Sequence, residues 1–220
     1  MSNLLFHLSY CAASALARQT AFADFLGERG WGVDIAAGTV TFGHDLRFQI
    51  QVLGTESEVD RTWLWAWANP QSIPPGLLRA AEWLRDYGLR NQIQELSQAS
   101  LSLDHADGHL LAMLAAGVTG RCYYRGPYDG GALFFLVEGV PPGVLAPISP
   151  ERTVTVMTQV LQMYDLDHRT LVESFLSQQG YAVMGTATSI TARHPSGSGL
   201  QVGLDQLGRI ERIQADLQRG

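Results

Sequence analysis

The segment L-D-H-A-D-G-H (residues 103–109) places two histidines, His105 and His109, four positions apart. Imidazoles at this spacing share one face of a continuous helix and can bind a metal ion together. However, Asp107 followed by Gly108 indicates that a helix starts between the two histidines, with Asp107 as its N-cap. No third ligand stands at a recognisable spacing. We therefore predict a solvated helix start with no metal and no other cofactor, and His105 and His109 remain weak metal candidates.

The glycine-rich stretch Y-Y-R-G-P-Y-D-G-G (residues 123–131) carries residue types that anchor protein interfaces. The turn in it joins two strand-like segments as a hairpin. The alternative interpretation is a structural hairpin whose tyrosines cover the edge of the sheet. We predict that the hairpin is a binding surface formed by Tyr123, Tyr124, Arg125, Tyr128 and Asp129.

Three of the five tryptophans alternate with small residues in T-W-L-W-A-W-A-N (residues 62–69). On a strand, Trp63, Trp65 and Trp67 would form one stripe about 13 Å long. Large rings are ordinarily buried, so we expect most of them in the core. The stripe nevertheless remains a binding candidate, because the strand register decides which surface it joins.

Two registers are open for the tryptophan strand against the preceding strand, residues 47–53. If odd positions pair with odd ones, the rings lie beside Gln49 and Gln51 on a half-polar surface suited to binding. If odd positions pair with even ones, the rings join the apolar residues at positions 48, 50 and 52 in a thick core. The loop between the strands does not fix this choice.

The composition excludes several classes of protein. All 15 basic residues are arginine, so the phosphate-binding lysine of a P-loop and every lysine-based catalytic mechanism are excluded. The net charge of -6 argues against nucleic-acid binding. Cys122 has no histidine or acid at a spacing typical of a nucleophile. Whether the protein is an enzyme is therefore uncertain, and the sequence favours a non-enzymatic protein.

Neither a membrane span nor a secretion signal is predicted. No apolar stretch reaches ~18 residues, as a transmembrane helix requires. In the N-terminal segment no basic residue precedes the apolar run and His7 interrupts it, which is typical of an amphipathic helix. Two cysteines are too few for a disulfide framework. We expect a bacterial protein located in the cytoplasm.

The hydrophobic pattern predicts an α+β fold in which antiparallel β-meanders pack with helices. Apolar residues recur at helical spacing over residues 3–28, and four short strands follow. Further along we predict helices at 77–87, 90–97 and 109–116, and a hairpin of strands 121–124 and 132–138. Beyond this hairpin, helices at 151–164 and 168–179 precede strands from residue 181 onward.

The proline-rich segment at residues 139–150 is the best candidate for a domain boundary. We predict an α+β domain at 1–140 and a smaller helix-helix-meander domain at 147–220. F-L-G-E-R-G-W-G-V (25–33) matches F-L-S-Q-Q-G-Y-A-V (175–183), and several predicted strands follow each. This match predicts a duplicated unit of one helix and four strands. The alternative is that any helix packed on a twisted sheet favours an aromatic residue just after a C-cap glycine.

Two segments resemble a known family. Q-V-L-G-T-E-S-E-V-D-R-T-W-L-W-A-W-A-N-P (51–70) resembles the signature of a bacterial family of unknown function, and C-Y-Y-R-G-P-Y-D-G-G-A-L-F (122–134) is similar to that family's second block. The resemblance covers residues 1–138 and implies that both segments belong to one domain. The family has no known activity, so the resemblance implies no catalytic residue. Residues 147–220 faintly resemble secretion-chaperone-like domains.

Two functions are therefore open. We expect a non-enzymatic protein-interaction module, chaperone-like or immunity-type, with a protein partner and a plausible homodimer. The alternative is a small-ligand-binding protein or an unrecognised hydrolase. It would use a cleft between the tryptophan strand and the hairpin, with His105, His109 or Asp129 as polar groups.

Overall fold

A computed structural model describes residues 2–216 of the chain. It divides into two compact units: a central unit, residues 18–145, and a terminal unit formed by residues 1–17 together with 146–220. The predicted division into 1–140 and 147–220 differs from these units at the N-terminus, because the first 17 residues group with the C-terminal part.

The fold class is α+β, as predicted, with two antiparallel sheets. The helices are α1 (Asn3–Ser9), α2 (Ala12–Leu26), α3 (Arg79–Asn91), α4 (Gln94–Ser97), α5 (Gly108–Thr119), α6 (Pro142–Leu145), α7 (Pro150–Met163) and α8 (His168–Gln178). The strands are β1 (Trp31–Asp34), β2 (Thr39–Phe42), β3 (Leu46–Ser57), β4 (Thr62–Trp65), β5 (Ser100–Ser102), β6 (Cys122–Tyr128), β7 (Gly131–Glu138), β8 (Ala182–Gly185), β9 (Ser189–Arg193), β10 (Gly199–Leu204) and β11 (Ile210–Asp216). No helix within residues 2–216 is long and apolar enough to cross a bilayer.

The single helix predicted for residues 3–28 is two helices. The first ends at Ser9, where the amides of Tyr10 and Cys11 bond the carbonyls of His7 and Leu8 in a tighter turn. The Ser9 hydroxyl accepts a hydrogen bond from the backbone of Asp167 at 3.0 Å within the terminal unit. The periodicity of the apolar residues continues through this break, so the sequence pattern did not reveal it.

The central unit is built on a seven-stranded sheet with β3 in its middle. One edge of β3 pairs with β2 along its first residues and with β4 along its last ones. The other edge pairs with β7, which in turn pairs with β6. A twelve-residue strand can hold two short strands end to end along one edge, so β2, which carries β1, and β4, which carries β5, both pair with β3.

A β-bulge at Leu53 decides which side chains share a face of this sheet. Val52 pairs with Phe135 of β7, whereas the next paired residue, Gly54, is opposite Phe134. The extra residue reverses the alternation of side chains along β3. We call the side of Val52 and Phe135 the first face, and the side of Gln51 and Phe134 the second face.

The bulge also answers the register question for the tryptophans. Trp63 pairs with Glu56 and Trp65 with Gly54, so odd positions pair with even ones. Because the bulge lies between, the rings nevertheless join the face of Gln51 and not that of residues 48, 50 and 52. The expected three-ring stripe is wrong: β4 ends at Trp65, and Trp67 lies in the 3-10 turn Ala66–Ala68.

Helices α3, α4 and α5 cover the second face, and each is joined to the sheet by a polar side chain. Gln51 accepts a hydrogen bond from Ala80 at the start of α3 at 3.3 Å. The Trp65 indole donates to the carbonyl of Glu95 in α4 at 2.9 Å. Trp63 and Trp65 are 0% exposed, which confirms their predicted burial.

Helix α2 covers only part of the first face. Phe22 packs edge-on against Phe42 and Phe48, with ring centroids 6.0 and 6.4 Å apart. One turn earlier, Gln19 both donates to and accepts from the backbone of Tyr123, which occupies the otherwise unpaired edge of β6. The rest of the first face, beyond Phe42 and Phe48, is the part that bears on function.

The terminal unit repeats one feature of the central unit, a helix followed by four antiparallel strands. The strands begin at residues 31, 39, 46 and 62 after α2, and at 182, 189, 199 and 210 after α8. The two helices end at different positions of the sequence match. Gly27, with φ +58°, follows α2, and Gly180, with φ +86°, follows α8. The match, however, aligns Gly180 with Gly30 and not with Gly27. The shared architecture is thus observed, and its origin by duplication stays a prediction.

Candidate binding groove

An open groove lies on the uncovered part of the first face of the central sheet. Its volume is about 630 Å³, within the range of ~300–1,000 Å³ of small-molecule sites. The lining residues come from β1 and the residue after it, β3, β4, the loop after the tryptophan segment and the β6–β7 hairpin. They are Trp31, Val33, Ile35, Val52, Thr55, Leu64, Asn69, Pro70, Gln71, Ser72, Ile73, Tyr128 and Leu133.

Trp31 forms one wall of the groove because it reaches across the sheet. A Cβ atom at Gly126 would lie 2.5 Å from Cη2 of Trp31, so the indole rests directly on the backbone of β6. Its ring centroid is also 5.7 Å from that of Tyr124. Since β1 and β6 are at opposite ends of the strand path β1-β2-β3-β7-β6, this contact requires a strongly curled sheet.

The loop at residues 69–73 forms another part of the lining. Pro70 opens the loop, and Pro74, with ψ 132°, keeps its end extended before the 3-10 helix that begins at Pro75. Asn69 Oδ1 accepts the amide of Gln71 at 2.9 Å and closes a local turn. The loop places the apolar side chain of Ile73 and the polar side chains of Gln71 and Ser72 at the groove.

The polar atoms of the groove are hydroxyls and amides. Thr55, Ser72 and Tyr128 supply hydroxyl groups, and Asn69 and Gln71 supply carboxamides. No charged side chain lines the groove in the described chain. A charged ligand would lose its hydration without gaining an ionic partner, which is costly in an apolar site. The lining therefore suits a neutral molecule.

Only one of the five predicted hairpin residues lines the groove. Tyr128 is 51% exposed and lies at its rim. Tyr124 packs inside, and burial raises the pKa of its phenol. Tyr123 is buried with its hydroxyl 3.1 Å from Nδ1 of His109. Asp129 is exposed at the tip of the hairpin.

Arg125 serves the hairpin rather than an open surface. Its guanidinium lies 2.9 Å from Oε1 of Glu58 and 3.8 Å from Oε1 of the buried Glu56. The other carboxylate oxygen of Glu56 accepts the amide of Gly108, the first residue of α5, at 3.1 Å. A carboxylate at a helix N-terminus is favoured by the helix dipole. Arg125 and Glu56 thereby join the hairpin, β3 and α5.

The two histidines have separate partners on the second face. Nε2 of His105 lies 3.1 Å from Oε1 of Glu95, and His109 bonds Tyr123. Within residues 2–216 no group of three potential metal ligands comes together. His105, His109 and Asp129, which the sequence offered as polar groups of a cleft, are not among the residues that line this groove.

The tryptophan rings do not line the groove either. Trp63 and Trp65 belong to the core, which corrects their assignment as binding residues. Trp67 is half-buried beneath Arg85, whose guanidinium carbon lies 5.3 Å from the ring centroid. The residues of this segment that do reach the groove are Leu64 and Asn69. The side of the strand without the large rings thus faces the groove.

Cys122 is unsuited to nucleophilic chemistry. Burial raises the pKa of its thiol to about 11, although the positive charge of Arg18 opposes the rise. The sulfur lies 3.8 Å from the carbonyl oxygen of Arg18. A thiol with this pKa is almost fully protonated at neutral pH, and the thiolate is the reactive form.

Sequence reasoning did not find Trp31, Val33 and Ile35 as site residues. The alternation W-G-V-D-I was visible, but it predicted one buried face without indicating that the end of that face stays open. The loop A-N-P-Q-S-I-P-P was recognised only as a break. A hydrophobic residue in it, Ile73, was the available signal that this loop packs over apolar surface.

The comparisons with known proteins give a family and no activity. A family model described as a family of unknown function (DUF6882) matches residues 7–140. The match contains both segments that carry the resemblance seen in the sequence. No curated protein and no solved structure matches the chain. The chaperone-like character of residues 147–220 stays a prediction.

Proposed function

The chain belongs to this family of unknown function, and we propose from the lining of the groove that the central unit binds a small, neutral, largely apolar molecule. The observation that carries the proposal is an apolar cavity of about 630 Å³ without a charged lining residue. Most of its wall is aliphatic or aromatic, and a few hydroxyls and amides are placed to orient a ligand. This combination is typical of small-molecule sites.

The chemistry of the lining supports binding rather than catalysis. The described lining residues include no carboxylate, imidazole or thiol, the groups that usually act as acid, base or nucleophile. Thr55 and Ser72 have hydroxyls, but no base stands beside them in the groove. A hydrolase would need such a base within hydrogen-bond reach. We therefore favour a binding protein over the hydrolase alternative.

A titration with the neutral apolar dye Nile red tests the proposal. Nile red fluoresces when it leaves water, so saturable fluorescence with one site per chain is expected. Leu64→Arg places a charged side chain in the groove and should abolish this site. Leu89→Arg is the matched control, because Leu89 is exposed on α3 and does not line the groove. Equal dye binding by both variants would remove the groove from consideration.

A protein partner is the second candidate, and the two hairpin tips favour it. Val59 in the β3–β4 loop is 80% exposed and Tyr128 of the β6–β7 hairpin is 51% exposed. Val59 lies beside Gly130, in the turn that follows Tyr128. The tips are joined by a hydrogen bond from the amide of Glu58 to the carbonyl of Gly130 at 3.0 Å. Tyrosine is one of the residue types enriched in interface anchors, and the exposed Val59 adds apolar surface beside it.

Val59→Asp separates the two candidates. Val59 does not line the groove, so this variant should bind Nile red as the wild type does. A partner, including a second copy of the chain, would instead be lost, and sedimentation of wild type and variant would show whether a dimer depends on Val59. A bacterial cytoplasmic location stays a prediction from the sequence.

A further inference from the structure

A second cavity of the central unit lies on the second face of the sheet, away from the groove's lining. It has a volume of about 540 Å³. Gln51 and Glu138 of the sheet form its floor, and residues of α3 and of the end of α5 form its walls. The side chains that bear on ligand chemistry are Arg79, Arg121, Trp83, Gln51 and Glu138. We call this cavity the arginine cleft.

Arg79 is a cation without a partner. Its side chain is exposed and makes no hydrogen bond or ion pair with any residue that the structure describes. The other arginines of residues 18–145 each contact an acidic side chain, a hydroxyl or a carbonyl, as Arg29 does with Asp45 at 3.1 Å. A free guanidinium at the wall of a cavity offers up to five donors to an anion.

Arg121 is held in place by an ion pair. One of its terminal nitrogens lies 3.1 Å from Oε1 of Glu138. The other nitrogens of its planar guanidinium remain available as donors to a ligand. Two guanidinium groups and one carboxylate leave the cleft with a net charge of one positive unit. This balance fits a monoanion better than a phosphate dianion.

Trp83 gives the cleft an aromatic wall. The ring is 41% exposed, unlike the buried Trp63 and Trp65. It stacks on Tyr87 one turn later in α3, with ring centroids 5.3 Å apart and planes at 23°. The stack fixes the plane of the indole, so a flat ligand can lie against it without ordering it further.

The floor of the cleft is rigid. Gln51 is 3% exposed, accepts the amide of Ala80 and donates to the carbonyl of Gly76 at 3.1 Å. These two bonds fix the first turn of α3, which carries Arg79. Gln51 thus holds the backbone on both sides of Arg79 from a buried position in the sheet, whereas the side chain of Arg79 itself is exposed.

We propose that the arginine cleft binds an aromatic monocarboxylate, with its carboxylate at Arg79 and Arg121 and its ring against Trp83. Arginine binds carboxylates with two parallel hydrogen bonds, which orients the ligand as well as holding it. The proposal does not depend on the groove, because the two cavities share no lining residue.

Calorimetric titration of the full chain with 2-naphthoate tests it. We expect one site, and affinity at least about tenfold weaker in Arg79→Gln, as the loss of a charge-assisted pair implies. Arg90→Gln is the matched control: Arg90 lies on the same helix, is exposed and is outside the cleft. Its affinity should equal that of the wild type.

Two further titrations keep the outcome decisive. The neutral isostere 2-naphthamide should not bind, and 2-naphthyl phosphate should bind more weakly than the carboxylate. The proposal is overturned if Arg79→Gln binds naphthoate as well as the wild type, or if the amide or the phosphate ester binds equally. It is also overturned if Leu64→Arg, which blocks the groove, removes the naphthoate site.

Discussion

The indole of Trp31 rests on the backbone of Gly126, so closely that a Cβ atom at Gly126 would lie 2.5 to 3.0 Å from three ring carbons. The contact joins the first strand of the central unit to its second-last strand. It also closes one side of the groove. The shape of the proposed binding site therefore depends on Gly126, a residue that has no side chain with which to contact a ligand.

Gly126→Ala should disturb this contact and lower the stability of the protein. The backbone of Gly126 is not in the left-handed region, so the cost is steric and about 1–3 kcal/mol of unfolding free energy, as for overpacking. Denaturant unfolding measures it, and Nile red affinity should fall with the displaced indole. Gly76→Ala is the control, because a Cβ there meets nothing within 4 Å. Similar losses in both variants would contradict the Trp31 contact.

The two core tryptophans should differ in their tolerance of phenylalanine. Trp65→Phe loses the hydrogen bond to the carbonyl of Glu95, whereas the indole nitrogen of Trp63 is buried with no partner in the described chain. Both changes remove the same atoms, so the cavity terms are similar. We expect Trp65→Phe to cost about 1–2 kcal/mol more than Trp63→Phe in urea unfolding. The reverse order would show that the bond to Glu95 adds no stability.

Glu56 should matter more for stability than its neighbour Glu58. Glu56 is buried and holds both Arg125 and the first amide of α5. Glu56→Gln keeps an oxygen for that amide and should cost about 1 kcal/mol; Glu56→Met leaves the amide unpaired and should cost about 2–3 kcal/mol. Glu58→Gln, on the surface, should change stability by less than about 0.5 kcal/mol. Thermal unfolding of the three variants orders them, and equal melting temperatures would rule out the role given to Glu56.

Cys122 should be inert in the folded protein. With a pKa of about 11, roughly one thiol in a thousand is ionised at pH 8, so iodoacetamide should label it only in denaturant. The experiment uses a Cys11→Ala background, which leaves one thiol. Fast labelling of the native protein at pH 8 would disprove the burial of Cys122.

The same thiol makes stability fall at high pH. The folded pKa of about 11 is above the ordinary value of 9.0, so the unfolded chain loses its proton first as the pH rises. The stabilising contribution is complete below pH 9 and is lost between pH 9 and pH 11. Cys122→Ala should remove this part of the pH dependence of urea unfolding.

Much of the fold was predictable, because local patterns determine it. The strands around residues 31–57, the helix started by Asp107 and the β6–β7 hairpin all follow from alternation, capping and turn residues. The bulge at Leu53 was not predictable, since it depends on pairing with β7, a partner some 80 residues away in the chain. Because of this extra residue, Trp63 and Trp65 lie on the face of Gln51 and not on that of Phe48, Ile50 and Val52. The sequence alone therefore left both registers open.

The candidate site was less predictable than the fold. The alternative function expected a cleft between the hairpin and the tryptophan segment, and of these two segments Tyr128, Leu133, Leu64 and Asn69 line the groove. Conspicuous residues such as Trp65 and Tyr123 are engaged in the core, whereas the groove is lined by ordinary aliphatic side chains. A pattern of apolar residues shows which face is buried, but not where the covering helix ends.

The most direct test of the proposed function is methyl NMR of the full chain labelled at the isoleucine δ1-methyl groups, titrated with Nile red. Ile35 and Ile73 line the groove, whereas Ile50 and Ile93 are buried in the core. A neutral ligand in the groove should shift the Ile35 and Ile73 signals together and leave Ile93 unchanged. Saturable binding without a shift of the Ile35 and Ile73 methyl signals, or no binding at all, would contradict a ligand site in this groove.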